Sequence, residues 1–179
     1  MHARDKGMKN KNGFTLVEML ITMAILGILL GYAGISGKAW LDRYRVESQM
    51  KQMFADLMNA RISAMQKNRT FFVTFSPSAA AAAQYTIYED TTPAPDGDGE
   101  LQTGIDAVVT QTNLNPNYSI TSNADEIDFN SRGLVSAGLV GAQTTIRVTG
   151  SFGSAYDCIA ISATKTRMGA WDGATCVVQ

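Results

Sequence analysis

Gly13-Phe14 sits where a basic segment meets an apolar one, and a lone carboxylate, Glu18, follows four residues later. A residue without a side chain leaves its peptide bond open to attack, so Gly13 suits a cleavage point. An acid inside an apolar run must meet a cation, lose its charge or reach toward water, so Glu18 is a functional candidate. A cysteine pair, Cys158 and Cys176, lies near the C-terminus. Asp96, Asp98 and Glu100 alternate with glycine, a spacing of carboxylates that could hold Ca²⁺. The stretch lacks the twelve-residue loop with a distal bidentate Glu, and Asp-Gly pairs also build hairpin turns without metal. A late basic cluster, Arg147, Lys165 and Arg167, could contact phosphates.

The 179 residues allow one domain with an appendage. Charged residues make up 17% and hydrophobic residues 45% of the chain. The charged share is below the ~25% of an average soluble domain, and the composition fits neither disorder nor a multi-span membrane protein. One His, two Cys and four Pro exclude a zinc ribbon or a disulfide-dense scaffold. A net charge of -1 argues against a dedicated nucleic-acid binder. The sequence holds no nucleophile motif, metal cluster or phosphate loop, so neither an enzyme nor a cofactor is expected. Asp125, Glu126 and Asp128 are close in sequence, but strand alternation puts Asp125 on the opposite face from the other two. A solvated strand edge accounts for them. His2 precedes the cleavage point, which leaves no Cys–His pair beyond it.

Those candidates must be positioned by three kinds of element. Residues 1–13 carry Arg4, Lys6, Lys9 and Lys11 against Asp5 and read as a cleaved basic leader. Residues 14–37 read as a transmembrane helix half, because the nineteen residues from Met19 to Gly37 are uncharged. That is close to the ~20 a helix needs to cross hydrocarbon. Basic residues ahead of the span place the N-terminus in the cytoplasm. A secretory signal peptide is the alternative, but its apolar core is shorter, roughly 7–15 residues.

Residues 38–68 continue as an amphipathic helix half. Val46, Met50, Met53, Leu57, Ala60 and Ala64 recur at spacings of four and three, with Phe54, Met58 and Met65 widening the stripe. The methionines could form a plastic binding surface, but the strict spacing favours core packing. Residues 69–179 form a β-rich globular domain. Strands are expected at 69–76, 84–88, 107–112, 119–121, 126–130, 144–149, 157–162 and 175–178, and the alanine run Ala79 to Ala83 reads as a loop. One long helix followed by short strands makes an α+β fold with an antiparallel sheet on the helix. With this domain outside the cytoplasm, the even cysteine pair reads as a disulfide, with free buried thiols as the alternative.

Gly13-Phe14-Thr15-Leu16-Val17-Glu18, between a basic leader and MLITMAILGILL, resembles the N-terminal signature of type IV prepilins and pseudopilins. The resemblance implies cleavage between Gly13 and Phe14 by prepilin peptidase and N-methylation of Phe14. It also implies that Glu18 pairs with the terminal amine of a neighbouring subunit during assembly. Ala55 to Phe75, Ile127 to Ser136 and Ile159 to Gly169 are similar in order and pattern to the GspH/FimT pseudopilins. That implies a minor subunit of an inner-membrane-rooted filament, either a type II secretion pseudopilus or a type IV pilus. Such a subunit is single-pass, with a cytoplasmic N-terminus and a periplasmic C-terminal domain. Its partners are other pilins, the peptidase and the inner-membrane assembly platform.

Some family members bind DNA through a Gly-Arg-x-Arg turn, which implies a second reading as a pilus-tip receptor for DNA uptake. The corresponding stretch here is Thr164-Lys165-Thr166-Arg167, where Gly is absent and Lys replaces the first Arg. Losing the four bases and one acid of the leader leaves 11 Lys and Arg against 15 Asp and Glu, a poor balance for phosphate binding.

Overall fold

The computed structural model describes residues 13–76, 82–94, 97–136, 143–150 and 153–178, without the side chains of 32–36. Residues 1–12 of the leader, part of the alanine run and Asp96 lie outside the described residues. The chain divides into two units, Met1–Trp40 and Leu41–Gln179.

A single helix, α1 (Leu16–Lys67), runs through the expected region. In the first unit its large apolar side chains from Leu16 (75%) to Leu30 (71%) are exposed. Among the described residues no helix is long and apolar enough to cross a membrane. The expected span over 14–37 includes positions 32–36, whose side chains lie outside the description.

Helix α1 stops for a local reason. Asn68 has φ 54°, a left-handed conformation that asparagine tolerates better than most residues. The Arg69 N–H then donates to the Ala64 carbonyl at 3.2 Å, the long bond of a Schellman ending. Asn68→Gly should therefore keep or slightly raise stability, and Asn68→Val should lower it by ~1–2 kcal/mol. Urea unfolding of the two variants checks this, and equal losses would contradict the local account.

In the second unit, Val46, Met50, Met53, Leu57, Ala60 and Ala64 are all buried, as their spacing predicts. Phe54 packs partly against the core, whereas Met65 is exposed and lies over Gly133 instead of widening the stripe. The buried methionines are core, which answers the alternative of a plastic surface.

Two antiparallel sheets complete the unit. The first contains β1 (Phe71–Ser76), β2 (Gln84–Glu89), β3 (Ala107–Asn113) and β5 (Glu126–Phe129), in the order β3-β2-β1-β5. The second contains β4 (Ile120–Ser122), β6 (Thr144–Val148), β7 (Cys158–Ile161), β8 (Thr166–Trp171) and β9 (Cys176–Val178), in the order β4-β6-β7-β8-β9. Strand β8 was not expected. Its sequence, TRMGAW, interrupts alternation with Gly169, where a Cβ would lie 2.3 Å from the Val177 carbonyl oxygen.

Both sheets contribute to one core with the helix stripe: Phe71, Tyr85 and Phe129 from the first, Ile120, Ile146 and Ile159 from the second. Polar pins fix the helix beside it. Tyr118 donates its hydroxyl to Asp42 at 2.6 Å, and Tyr85 donates to Asp56 at 2.5 Å. Burial, reinforced by the Asp56 bond, holds the Tyr85 hydroxyl well above the ordinary phenol range. Glu89 on β2 receives both Lys67 and Arg69, tying the helix end to the sheet.

Candidate processing and assembly site

Gly13 precedes α1, and nothing lies within 4 Å of where its Cβ would be. Phe14 is likewise exposed. The junction that a peptidase would cut is sterically open in the described chain.

Glu18 has a partner that the sequence reading did not identify. The Thr15 N–H donates to Glu18 Oε2 at 2.9 Å, and the Glu18 N–H donates to Thr15 Oγ1 at 3.2 Å. The Thr15 hydroxyl also donates to Oε2 at 3.1 Å. This reciprocal capping box satisfies two orphan donors at the helix start, and the carboxylate also complements the helix dipole. The signal was present in the sequence as Thr15-x-x-Glu18. An acid that resembles an unexplained charge therefore already has a role in starting its own helix.

The cysteines meet. Cys158 on β7 and Cys176 on β9 form a disulfide with S–S 2.01 Å and Cα atoms 5.9 Å apart. It links two strands that β8 separates in the sheet order. Ala160 and Trp171 pack with it as a small cluster.

Of the late basic residues, Lys165 and Arg167 line one shallow pocket, and Arg147 lines another beside Trp171. Register pairs Arg147 with Cys158 and Arg167 with Ala160, on neighbouring rows of the second sheet. Arg147 lies over the Trp171 ring at 4.6 Å, a cation–π contact. Lys165 sits in the tight β7–β8 turn, where its carbonyl accepts the Ser162 N–H at 2.8 Å. Asp172 lies in the turn beyond Trp171, and the Thr175 and Ala174 N–H groups hold its carboxyl below the ordinary range.

Of the acidic trio, Asp125 is exposed and Glu126 half-buried on the edge strand β5, as a solvated edge requires, but Asp128 departs from it. Asp128 is buried and accepts from the Ser136 N–H and hydroxyl, at 3.2 and 2.6 Å. Burial, then the Asp128 charge, raises the Glu126 carboxyl above its usual value. The reason is that β5 is an edge strand whose open side is covered by the turn leading to Ser136.

Two of the three Ca²⁺ candidates, Asp98 and Glu100, are described. Asp96 is outside the described residues, and Asp98 is occupied by the Glu100 N–H at 3.0 Å and the Gln102 amide at 2.7 Å. Among the described residues no three acidic, Cys or His groups converge.

An open Gly-Phe junction, a helix started by Thr15 and Glu18, and a helix stripe packed on antiparallel sheets together define a pilin-like subunit. The prokaryotic N-terminal methylation motif matches residues 8–34. The family of the type II transport protein GspH matches residues 49–165, more than half of the chain, and the chain belongs to it. It is a minor pseudopilin or pilin subunit, and the comparisons do not favour a DNA receptor.

A crystal structure of the type IV minor pilin FimU of Pseudomonas aeruginosa PAO1 has the same fold, with a TM-score of 0.51 and 14% identity. The match covers 73% of this chain and 92% of that one. A second crystal form of FimU matches with a TM-score of 0.49 and 15% identity, covering 69% of this chain and 92% of that one. No curated protein matches the chain significantly.

Proposed function

We propose that prepilin peptidase cuts this subunit between Gly13 and Phe14, that Phe14 is then N-methylated, and that Glu18 guides entry into a filament. The N-terminal methylation motif across the Gly13-Phe14 junction carries this reading. The open junction and the helix start just beyond it support it.

In this reading residues 1–13 are the leader and 14–37 the membrane half of α1. Residues 38–68 are its periplasmic half, and 69–179 form the exposed domain. The subunit is single-pass in the bacterial inner membrane, with its N-terminus in the cytoplasm. Its partners are other pilins, the peptidase and the assembly platform. It does no chemistry of its own, and the filament is that of a secretion pseudopilus or a type IV pilus.

Assembly follows from the charge. A subunit whose Phe14 amine enters hydrocarbon needs an anion, and one whose Glu18 does so needs a cation. Pairing the two across neighbours answers both needs and sets axial register.

Intact mass of the chain from native membranes tests processing. The expected mass is that of a chain starting at Phe14 with one added methyl group. A mass starting at Met1, or after cleavage near Gly37, would overturn the proposal.

A further inference from the structure

The outer face of the second sheet holds a cation that the assembly reading does not use. Along β6, Ile146 and Val148 belong to the core, so Thr145 and Arg147 point the other way. Antiparallel register sets Thr121 of β4 opposite Arg147. Trp171, at the end of β8, packs with the Cys158–Cys176 bridge and Ala160. The Arg147 guanidinium lies over the Trp171 ring, 4.6 Å from its centre. The bridge thus steadies Trp171, and Trp171 steadies Arg147.

Arg147 and Trp171 form one side of a pocket of about 410 Å³, with Thr121, Asn123, Gln143 and Thr145 among its other walls. That lies within the ~300–1,000 Å³ of small-molecule sites. Arg147 is half-buried, and among the described residues its guanidinium has neither an ion pair nor a hydrogen bond. Asp172, in the turn after Trp171, spends its oxygens on Ala174 and Thr175. A guanidinium carries five donors in a flat fork that matches a carboxylate. Stacking holds that fork in place, so little side-chain freedom remains to be lost on binding. The surrounding walls are neutral. The Asn123 side-chain carbonyl accepts the Thr145 N–H at 2.8 Å. Its amide donors, the Gln143 amide and the Thr121 and Thr145 hydroxyls have no partner among the described residues.

We propose that this pocket binds an acidic sugar. Arg147 pairs with the sugar's carboxylate, and Asn123, Gln143 and the two threonines bond to its ring hydroxyls. An anion without hydroxyls would engage the guanidinium and leave the walls unused. A neutral sugar would engage the walls and leave the cation unpaired. A carboxylate beside several hydroxyls answers both. Gln143 also lines a second, shallower pocket of about 220 Å³ with Lys165 and Arg167. Register places Arg167 beside Ala160, which in turn pairs with Thr145, so both pockets open on the same face. A chain of linked sugar acids therefore finds cations there for a second carboxylate. The proposal does not depend on the assembly reading.

Nucleic acid is the competing polyanion, and the face suits it less well. Single strands gain affinity by stacking bases on aromatic rings. Trp171 is the one aromatic residue lining either pocket, and it is engaged by Arg147 and the bridge cluster. A phosphate backbone also draws its affinity from many cations, whereas this face offers Arg147, Lys165 and Arg167.

The test uses the full processed chain in a detergent without a sugar headgroup. Sodium glucuronate, glucose, sodium acetate and inorganic phosphate are titrated at constant ionic strength, by calorimetry and by tryptophan emission. A Trp40→Phe background leaves Trp171 as the sole indole. The expected result is one glucuronate per chain with Kd on the order of 1 mM, and a change in Trp171 emission. Glucose, acetate and phosphate should each bind at least about tenfold more weakly. A short oligomer of linked uronates should bind about tenfold more tightly than the monomer, and Arg167→Ala should remove that gain alone. Arg147→Met keeps an apolar stem on Trp171, and it should unfold cooperatively and lose at least about tenfold in glucuronate affinity. No saturable glucuronate binding up to about 20 mM would overturn the proposal. So would equal affinity for acetate or phosphate, wild-type affinity in Arg147→Met, or a tighter hold on single-stranded DNA than on the uronate oligomer. Equal affinity for monomer and oligomer would overturn the role of the second pocket. The wild-type series decides the matter even if a variant fails to fold.

Discussion

Glu18→Val should insert into the membrane and be processed, yet be lost from the filament. The expected drop in incorporation is a hundredfold or more. It comes from leaving the Phe14 amine of a neighbour unpaired in low dielectric, which costs about 3–5 kcal/mol. The capping box complicates this, because Glu18 also bonds to Thr15. Losing a cap costs only ~1 kcal/mol, about a fivefold effect. Two further variants separate the roles. Glu18→Gln keeps the cap, since Gln serves at that position as Glu does, but removes the charge. Thr15→Ala removes the reciprocal bond and keeps the charge. If charge pairing governs assembly, Glu18→Gln is impaired almost as badly as Glu18→Val, and Thr15→Ala is mildly affected. If helix capping governs it, the order reverses. Membrane fractionation beside co-purification with other pilin-like subunits reads both quantities. Wild-type incorporation of Glu18→Val and Glu18→Gln would end the pairing account.

Breaking the Cys158–Cys176 bridge should cost ~3 kcal/mol, because the bond closes a segment with a sequence separation of 18. Replacing both residues by Ser should cost somewhat more, since each is buried and a hydroxyl there would need a partner. Double replacement by Ala isolates the cross-link better. The loss should show as a lower urea midpoint with the fold retained, because the main core lies around the helix stripe and not around the bridge. Non-reducing peptide mapping of native protein should find the single linked pair. Two freely alkylated thiols in that material would contradict a domain in an oxidising compartment.

Much of this fold is legible in local pattern. The buried stripe from Val46 to Ala64 follows helical spacing, and most strands fall within two residues of their expected bounds. Strand β8 escapes the reading because Gly169 breaks its alternation, and the reason for that glycine is a close approach of β9. Asp128 escapes it for a similar reason. Nothing in the sequence around it shows that Ser136 folds back to cover the strand edge. Thr15 and Glu18 are legible as a capping box in their Thr-x-x-Glu spacing, while the apolar run around them makes Glu18 look unpartnered. Asp98 is conspicuous in the sequence, yet its carboxylate is taken up within its own turn by the Glu100 N–H and the Gln102 amide.

The central claim is that a chain trimmed to Phe14 joins other pilin-like subunits. The most direct measurement is mass spectrometry of assemblies pulled from detergent-solubilised native membranes through this chain. The account predicts that other pilin-like subunits are recovered with it and that every recovered copy of this chain begins with methylated Phe14. Recovery of the chain alone, or of assemblies in which it still carries residues 1–13, would contradict it.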